Sequence, residues 1–163
     1  MYQLGHYGVA LIAYAPVGAT VALSGQEALA ILGALLCLSL STLPDCDHRL
    51  PLISHRGPTH TVWFALLVGG VVGASLYIFL ESTMGGGDPE LVRFAFGVAT
   101  LSIISHLLAD ALTPMGITPL WPLSSWHVSL DVTPAKSTVA NYALLGAGVG
   151  ATVLAVFVVS SLS

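Results

Sequence analysis

Five long apolar runs, separated by short polar segments, are the feature of this sequence that most restricts its fold. We place them at residues 4–23, 28–43, 61–80, 91–112 and 138–159. Each is close to the roughly 20 residues that an α-helix needs to cross a bilayer. Only 7% of the 163 residues are charged, whereas soluble domains carry about 25%. The sequence therefore predicts an all-α, polytopic membrane protein with about five transmembrane helices, in a single domain covering residues 1–163.

The segments within and between the runs suggest how the helices pack. Gly69, Gly70 and Gly73 in the third run would let a neighbouring helix approach closely. Residues 81–90 contain three consecutive glycines and predict an acidic, flexible loop. Residues 113–137 hold four prolines and two tryptophans, which favours an irregular loop at the membrane interface.

The alternation of five spans places all six histidines on one membrane face, which receives the N-terminal end and the loops after the second and fourth runs. Arg49, Arg56 and Lys136 lie on that face, and Arg93 is the basic residue of the other. The positive-inside rule then predicts a cell-membrane protein whose histidine face is cytoplasmic. With four basic residues and a net charge of −4, no nucleic-acid partner is expected.

The stretch 44–60 concentrates ionisable side chains between two apolar runs. Its candidate metal ligands are Asp45, Asp47, His48, His55 and His60. Carboxylate and imidazole ligands suit zinc, manganese or iron. The alternative is a solvated helix end with the aspartates as helix caps, but the nearby histidines favour a metal. Cys46, between two aspartates, is a further candidate, whereas Cys37 is expected to pack as a small hydrophobe.

The fourth run ends with two ionisable residues, His106 and Asp110, which are four positions apart and therefore project from one face of a helix. This spacing suits two ligands of one metal ion, and the alternative is a buried polar pair that joins two helices. Because ionisable groups within a span are costly and usually functional, we favour a metal site at one membrane face. His6, in the first run, is either a further ligand or an interfacial histidine.

Arg56 has two competing interpretations. Its guanidinium could clamp a phosphate through two parallel hydrogen bonds, or it could serve as a topology anchor on the inside face. In the loop 113–137, three polar residues without ligand spacing could support the site or face the substrate. They are His127, Asp131 and Lys136.

Several short blocks resemble the YdjM-type membrane-bound, metal-dependent hydrolases. They are GH (5–6), LPDCDH (43–48), HRGPTH (55–60), SHLLADALTPMG (105–116) and LWP (120–122). The resemblance implies a metal site formed by His6, Asp45, Asp47, His48, His55, His60, His106 and Asp110. The His-x-x-x-Asp element is also similar to that of zinc-dependent phospholipase C and nuclease P1, which are helical, multi-metal phosphoesterases.

We therefore expect a membrane-bound phosphoester hydrolase that acts on a lipid or lipid-linked phosphate. The cofactor would be a divalent metal, zinc or else manganese or iron, with two or more ions. The predicted catalytic residues are Asp45, Asp47 and Arg56. One alternative is a divalent-metal transporter, which would need ligands near the midplane. The other is a non-enzymatic membrane protein with a closed structural metal site.

Overall fold

The computed structural model describes residues 1–49 and 56–162, without the side chains of residues 48 and 49. Within this part of the chain, five helical segments are long and apolar enough to cross a membrane. The α-helices are α1 (Gln3–Leu23), α2 (Glu27–Leu40), α3 (Val62–Met84), α4 (Pro89–Ala111) and α5 (Thr138–Leu162). The prediction of an all-α, polytopic architecture is confirmed, and the chain is a multi-pass membrane protein.

The predicted loop at 81–90 is mostly helical, because α3 and α4 together take up all of it except residues 85–88. Gly85 ends α3 with a φ of 69°, a left-handed conformation that glycine adopts without steric cost. Asp88 begins α4, since its side chain accepts hydrogen bonds from the backbone N–H groups of Glu90 and Leu91. These two caps sharpen a boundary that composition alone left diffuse.

The bundle is built around α1 and α4. Helix α1 packs against α2, α4 and α5, and helix α4 packs against α1, α2 and α3. One buried cluster joins α1, α2 and α4 through Ala10, Tyr14, Cys37 and Val98, so Cys37 packs as a hydrophobe, as predicted. A second cluster joins α3 to α4 through Ala65, Val68, Ala99, Ile103 and Leu107. The two central helices carry histidines of the predicted site.

Glycines set the closest helix crossings. A Cβ atom at Gly69 would lie 2.9 Å from the carbonyl oxygen of Phe96 in α4, so the predicted close approach is correct there. It is wrong for Gly70, where nothing lies within 4 Å, because this residue points away from α4. The crossing of α1 and α5 depends on Gly8 and Gly148, whose backbones touch.

Two 3-10 helices, Leu43–Arg49 after α2 and Pro58–His60 before α3, lie at the same end of the bundle as the start of α1 and the end of α4. The loop 113–137 is irregular, as predicted, and returns over this end. In it, Leu130 donates a backbone hydrogen bond to the carbonyl of Ala111, which satisfies one of the free carbonyls at the end of α4. The end of α4 is therefore held in place by its own loop.

Candidate metal centre

Five potential metal ligands from four segments meet at this end of the bundle. Helix α1 provides His6, the 3-10 helices provide Asp45 and His60, and α4 provides His106 and Asp110. The three imidazoles are fully buried and Asp110 is 1% exposed, whereas Asp45 is 25% exposed. The cluster is thus closed on most sides and reached by solvent at Asp45.

Four of these side chains present donor atoms at the spacing of a tetrahedral metal site. The Nε2 atoms of His60 and His106 are 3.2 Å apart. Asp110 Oδ2 lies 3.3 Å and 3.5 Å from them, and Asp45 Oδ1 lies 3.7 Å and 3.6 Å from them. Zinc bonds of about 2.1 Å in tetrahedral geometry would separate donor atoms by roughly 3.4 Å. The distances fit one divalent ion.

The hydrogen bonds behind the two imidazoles determine which nitrogen carries the proton. Nδ1 of His106 lies 2.7 Å from the carbonyl oxygen of Ser41, which can only accept. Nδ1 of His60 lies 3.4 Å from Asp47 Oδ2 and 3.0 Å from the hydroxyl of Thr59, which itself donates to Asp47. With both Nδ1 atoms protonated, the two Nε2 lone pairs face each other across 3.2 Å. A cation between them would turn this repulsion into ligation.

His6 completes the cluster from α1. Its ring stacks on that of His106, with the centroids 3.8 Å apart. Both its ring nitrogens and Asp110 Oδ2 are buried without a hydrogen-bond partner, which is costly unless another group satisfies them. Its Nε2 lies 3.8 Å from Asp45 Oδ2 and from Asp110 Oδ1. A metal ion is the group that a donor set without hydrogen-bond donors can bind.

The carboxylates make this end of the bundle attractive to positive charge. Burial alone would lower the pKa of His60, but hydrogen bonds to Asp110 and Asp45 and the charge of Asp47 raise the pKa above its ordinary value. A proton at His60 is therefore favoured by the same charges that would favour a metal ion. Asp110 Oδ1 also accepts hydrogen bonds of 2.8 Å from the Arg56 guanidinium and from the amino nitrogen of Met1.

The predicted site residues fall into three groups. Those whose donor atoms meet are His6, Asp45, His60, His106 and Asp110. Asp47 lies behind His60 and Arg56 behind Asp110. The side chain of His48 and the whole of His55 lie outside the described residues.

Outside the cluster, Cys46 and His127 are both exposed. The donor group found among the described residues does not include Cys46. His127 Nδ1 lies 3.3 Å from the hydroxyl of Thr118, a contact within its own loop. Asp131 and Lys136 are also exposed.

Sequence reasoning missed the groups that support the ligands. Thr59 and Thr113 lie inside the motif blocks 55–60 and 105–116, so their position next to ligands was a usable signal. Thr113 Oγ1 donates to the carbonyl of Asp110 and accepts from Arg56. Ser41 contributes a backbone carbonyl, a group that every residue carries and that no sequence pattern marks.

Comparison with known proteins gives one result for nearly the whole chain. The family model described as YdjM inner membrane protein matches residues 1–162. No curated protein and no solved structure matches. The resemblance indicated by the motif blocks is confirmed at the level of the family.

Proposed function

The chain belongs to the YdjM family of inner membrane proteins, and we propose that it is a membrane-bound, metal-dependent hydrolase of phosphoesters. One observation carries this proposal. Buried imidazole and carboxylate donors lie at metal-ligand spacing at one end of the bundle, and Asp45 opens the cluster to solvent. The substrate we infer is a lipid or lipid-linked phosphate, since a site at the end of a membrane-spanning bundle lies at the depth of lipid headgroups.

We assign the first ion to His60, His106, Asp45 Oδ1 and Asp110 Oδ2, and zinc is the metal that this donor set suits best, ahead of manganese and iron. We assign a second ion to His6 and the remaining oxygens of the two aspartates, which lie 3.8 Å from its Nε2. The second ion would have to compete with the amino nitrogen of Met1 for Asp110 Oδ1.

A bound divalent ion would supply Lewis acidity toward a phosphoryl oxygen and a lowered pKa for water. The protein's own contribution is to fix the ligands. Asp47 and Ser41 orient the imidazoles of His60 and His106 through their Nδ1 atoms. Asp45 is the predicted catalytic carboxylate that solvent reaches, so we assign it the proton exchange with water. Asp47 is 2% exposed, and we assign it the holding of His60.

The position of the cluster argues against the two alternatives. A transporter binds its ion near the bilayer midplane, whereas these donors lie at the ends of α1 and α4. A structural zinc site has four protein ligands and no open position, whereas Asp45 is partly exposed and His6 offers a further donor.

Metal analysis combined with a substrate screen tests the function. Purified protein should contain zinc and release phosphate from a phospholipid or prenyl-phosphate panel. A chelator should abolish release, and added zinc should restore it. The double variant His60→Ala/His106→Ala serves as the inactive control. Tightly bound zinc without turnover of any substrate in the panel would favour the structural alternative.

We further propose that the metal centre faces the cytoplasm, on the basis of Arg49, Arg56 and Lys136 and the positive-inside rule. Reporter fusions after Leu43 and after Ser163 should give opposite signals, with the first reporting the cytoplasm. The same signal from both fusions would mean that the assignment of five spans is wrong. Opposite signals with the first fusion outside would reverse the orientation only.

A further inference from the structure

Arg56 occupies an unusual place just before the second 3-10 helix. Its φ is 61°, in the left-handed region that residues other than glycine seldom adopt. Its side chain is 8% exposed, although a charged side chain at the end of a membrane bundle could reach water. A strained backbone and a buried charge at one residue call for compensating contacts.

The contacts of Arg56 all point into the protein. Nη2 donates to Asp110 Oδ1 at 2.8 Å, and Nη1 donates to the hydroxyl of Thr113 at 3.0 Å and to the carbonyl of Gly116 at 2.8 Å. Its backbone N–H donates to Asp47 Oδ2 at 3.1 Å. One residue thus joins the carboxylate behind His60 to the end of α4 and the loop that follows it.

These contacts decide which oxygen of Asp110 faces the imidazoles. The guanidinium holds Oδ1, and the other oxygen, Oδ2, is buried without a hydrogen bond at 3.3 Å from His60 Nε2 and 3.5 Å from His106 Nε2. Carboxylate ligands are commonly fixed by such an outer hydrogen bond. We propose that Arg56 is a positioning residue, which orients Asp110 as a metal ligand and links it through Asp47 to His60.

This inference rests on the metal centre of the proposed function and not on its phosphoester chemistry. It also differs from the phosphate clamp that the sequence suggested. A clamp needs two parallel N–H groups directed at the substrate, whereas both terminal nitrogens of Arg56 are engaged with protein acceptors. A positioning residue should affect metal binding before any substrate is present.

The test compares Arg56→Lys with wild type, because lysine keeps the charge but cannot form the planar fork to three acceptors. Zinc affinity would be measured by chelator competition, and the visible spectrum of the cobalt-substituted protein would report the ligand geometry. We expect zinc affinity to fall about 10- to 100-fold, as for other lost outer partners of metal ligands, with an altered cobalt spectrum. Arg93→Lys, at an exposed arginine of α4, is the matched control and should change neither.

A second pair of variants guards against misfolding. Thr113→Val removes one acceptor of the guanidinium and should weaken zinc binding, whereas Thr113→Ser keeps the hydroxyl and should restore it. Unchanged zinc affinity and cobalt spectrum in Arg56→Lys would overturn the proposal. A raised KM for the phosphoester would then support the clamp, and an unchanged KM the topology anchor. A wild-type protein that binds zinc but hydrolyses nothing would refute only the proposed function, and one that binds no metal would refute both.

Discussion

Helices α4 and α5 have similar lengths and both can span a membrane, yet they occupy opposite environments. In the most apolar stretch of each, 44% of the α4 residues are buried and only 6% of the α5 residues. Helix α4 carries His106 and Asp110, whereas α5 has no charged residue. In lipid, apolar side chains gain little from burial, and ionisable ones are placed inside. Burial in this protein therefore follows polarity, and the most buried helix carries the site.

The comparison has a structural counterpart in how the two helices are anchored. The end of α4 is held by Arg56 and Thr113, which bond to Asp110. The start of α5 is held by Asn141, whose amide bonds the backbone of Tyr2, Ala135 and Ser137. Polar contacts thus fix a ligand in one helix and only the helix position in the other.

The largest effect should come from removing ligands of α4. His106→Ala or Asp110→Ala should reduce bound zinc by more than about 100-fold in affinity, since losing even an outer partner costs 10- to 100-fold. Zinc content of purified protein, measured by elemental analysis, gives the result. His127→Ala is the control, because His127 is exposed and lies apart from the cluster. Equal zinc loss in His127→Ala would place that residue among the ligands and displace one assigned here.

A smaller effect is expected from Asp47→Asn, which keeps the shape of the side chain but removes the charge behind His60. Asp47 Oδ2 lies 3.4 Å from His60 Nδ1, and such a carboxylate–histidine pair raises the basicity of the ligating nitrogen. Zinc affinity should fall about 10- to 100-fold while the helical content stays unchanged by circular dichroism. Asp131→Asn, at an exposed loop aspartate, should bind zinc like wild type. Unchanged affinity in Asp47→Asn would remove this residue from the support of the site.

Much of the fold could be predicted because the physical constraint acts on single segments. A span needs about 20 apolar residues whatever its neighbours are, so the five helices were found within a few residues of their bounds. The candidate ligands could be predicted for a related reason. Charged residues make up only 7% of the chain, so each ionisable group within or beside a span was conspicuous.

The rest depends on contacts between segments that are distant in sequence. Arg56 could be read as a phosphate clamp because its contact with Asp110, 54 positions away, has no local signal. The carbonyl of Ser41 behind His106 is 65 positions away. The glycines of the α1–α5 crossing could not be selected either, since the chain has 17 glycines and several face open space.

The smallest effect on the site should come from α5, and the glycines of its crossing with α1 test this. A Cβ atom at Gly148 would lie 2.9 Å from the Cα atom of Gly8, so Gly148→Ala should push the two helices apart and lower the free energy of unfolding by about 1–3 kcal/mol. Gly150→Ala, where nothing lies within 4 Å, should leave it unchanged or slightly raise it. Thermal unfolding in detergent measures both variants.

Zinc affinity measured on the same two variants decides whether α5 is only a scaffold. Gly8 lies two residues beyond His6 in α1, so a displaced crossing could move that ligand, while His60, His106, Asp45 and Asp110 are held by other segments. We therefore expect Gly148→Ala to bind its first zinc ion as wild type does and to lose affinity only for the second. Equal loss at both positions would mean that α5 shapes the whole centre, and the contrast between α4 and α5 would then no longer hold.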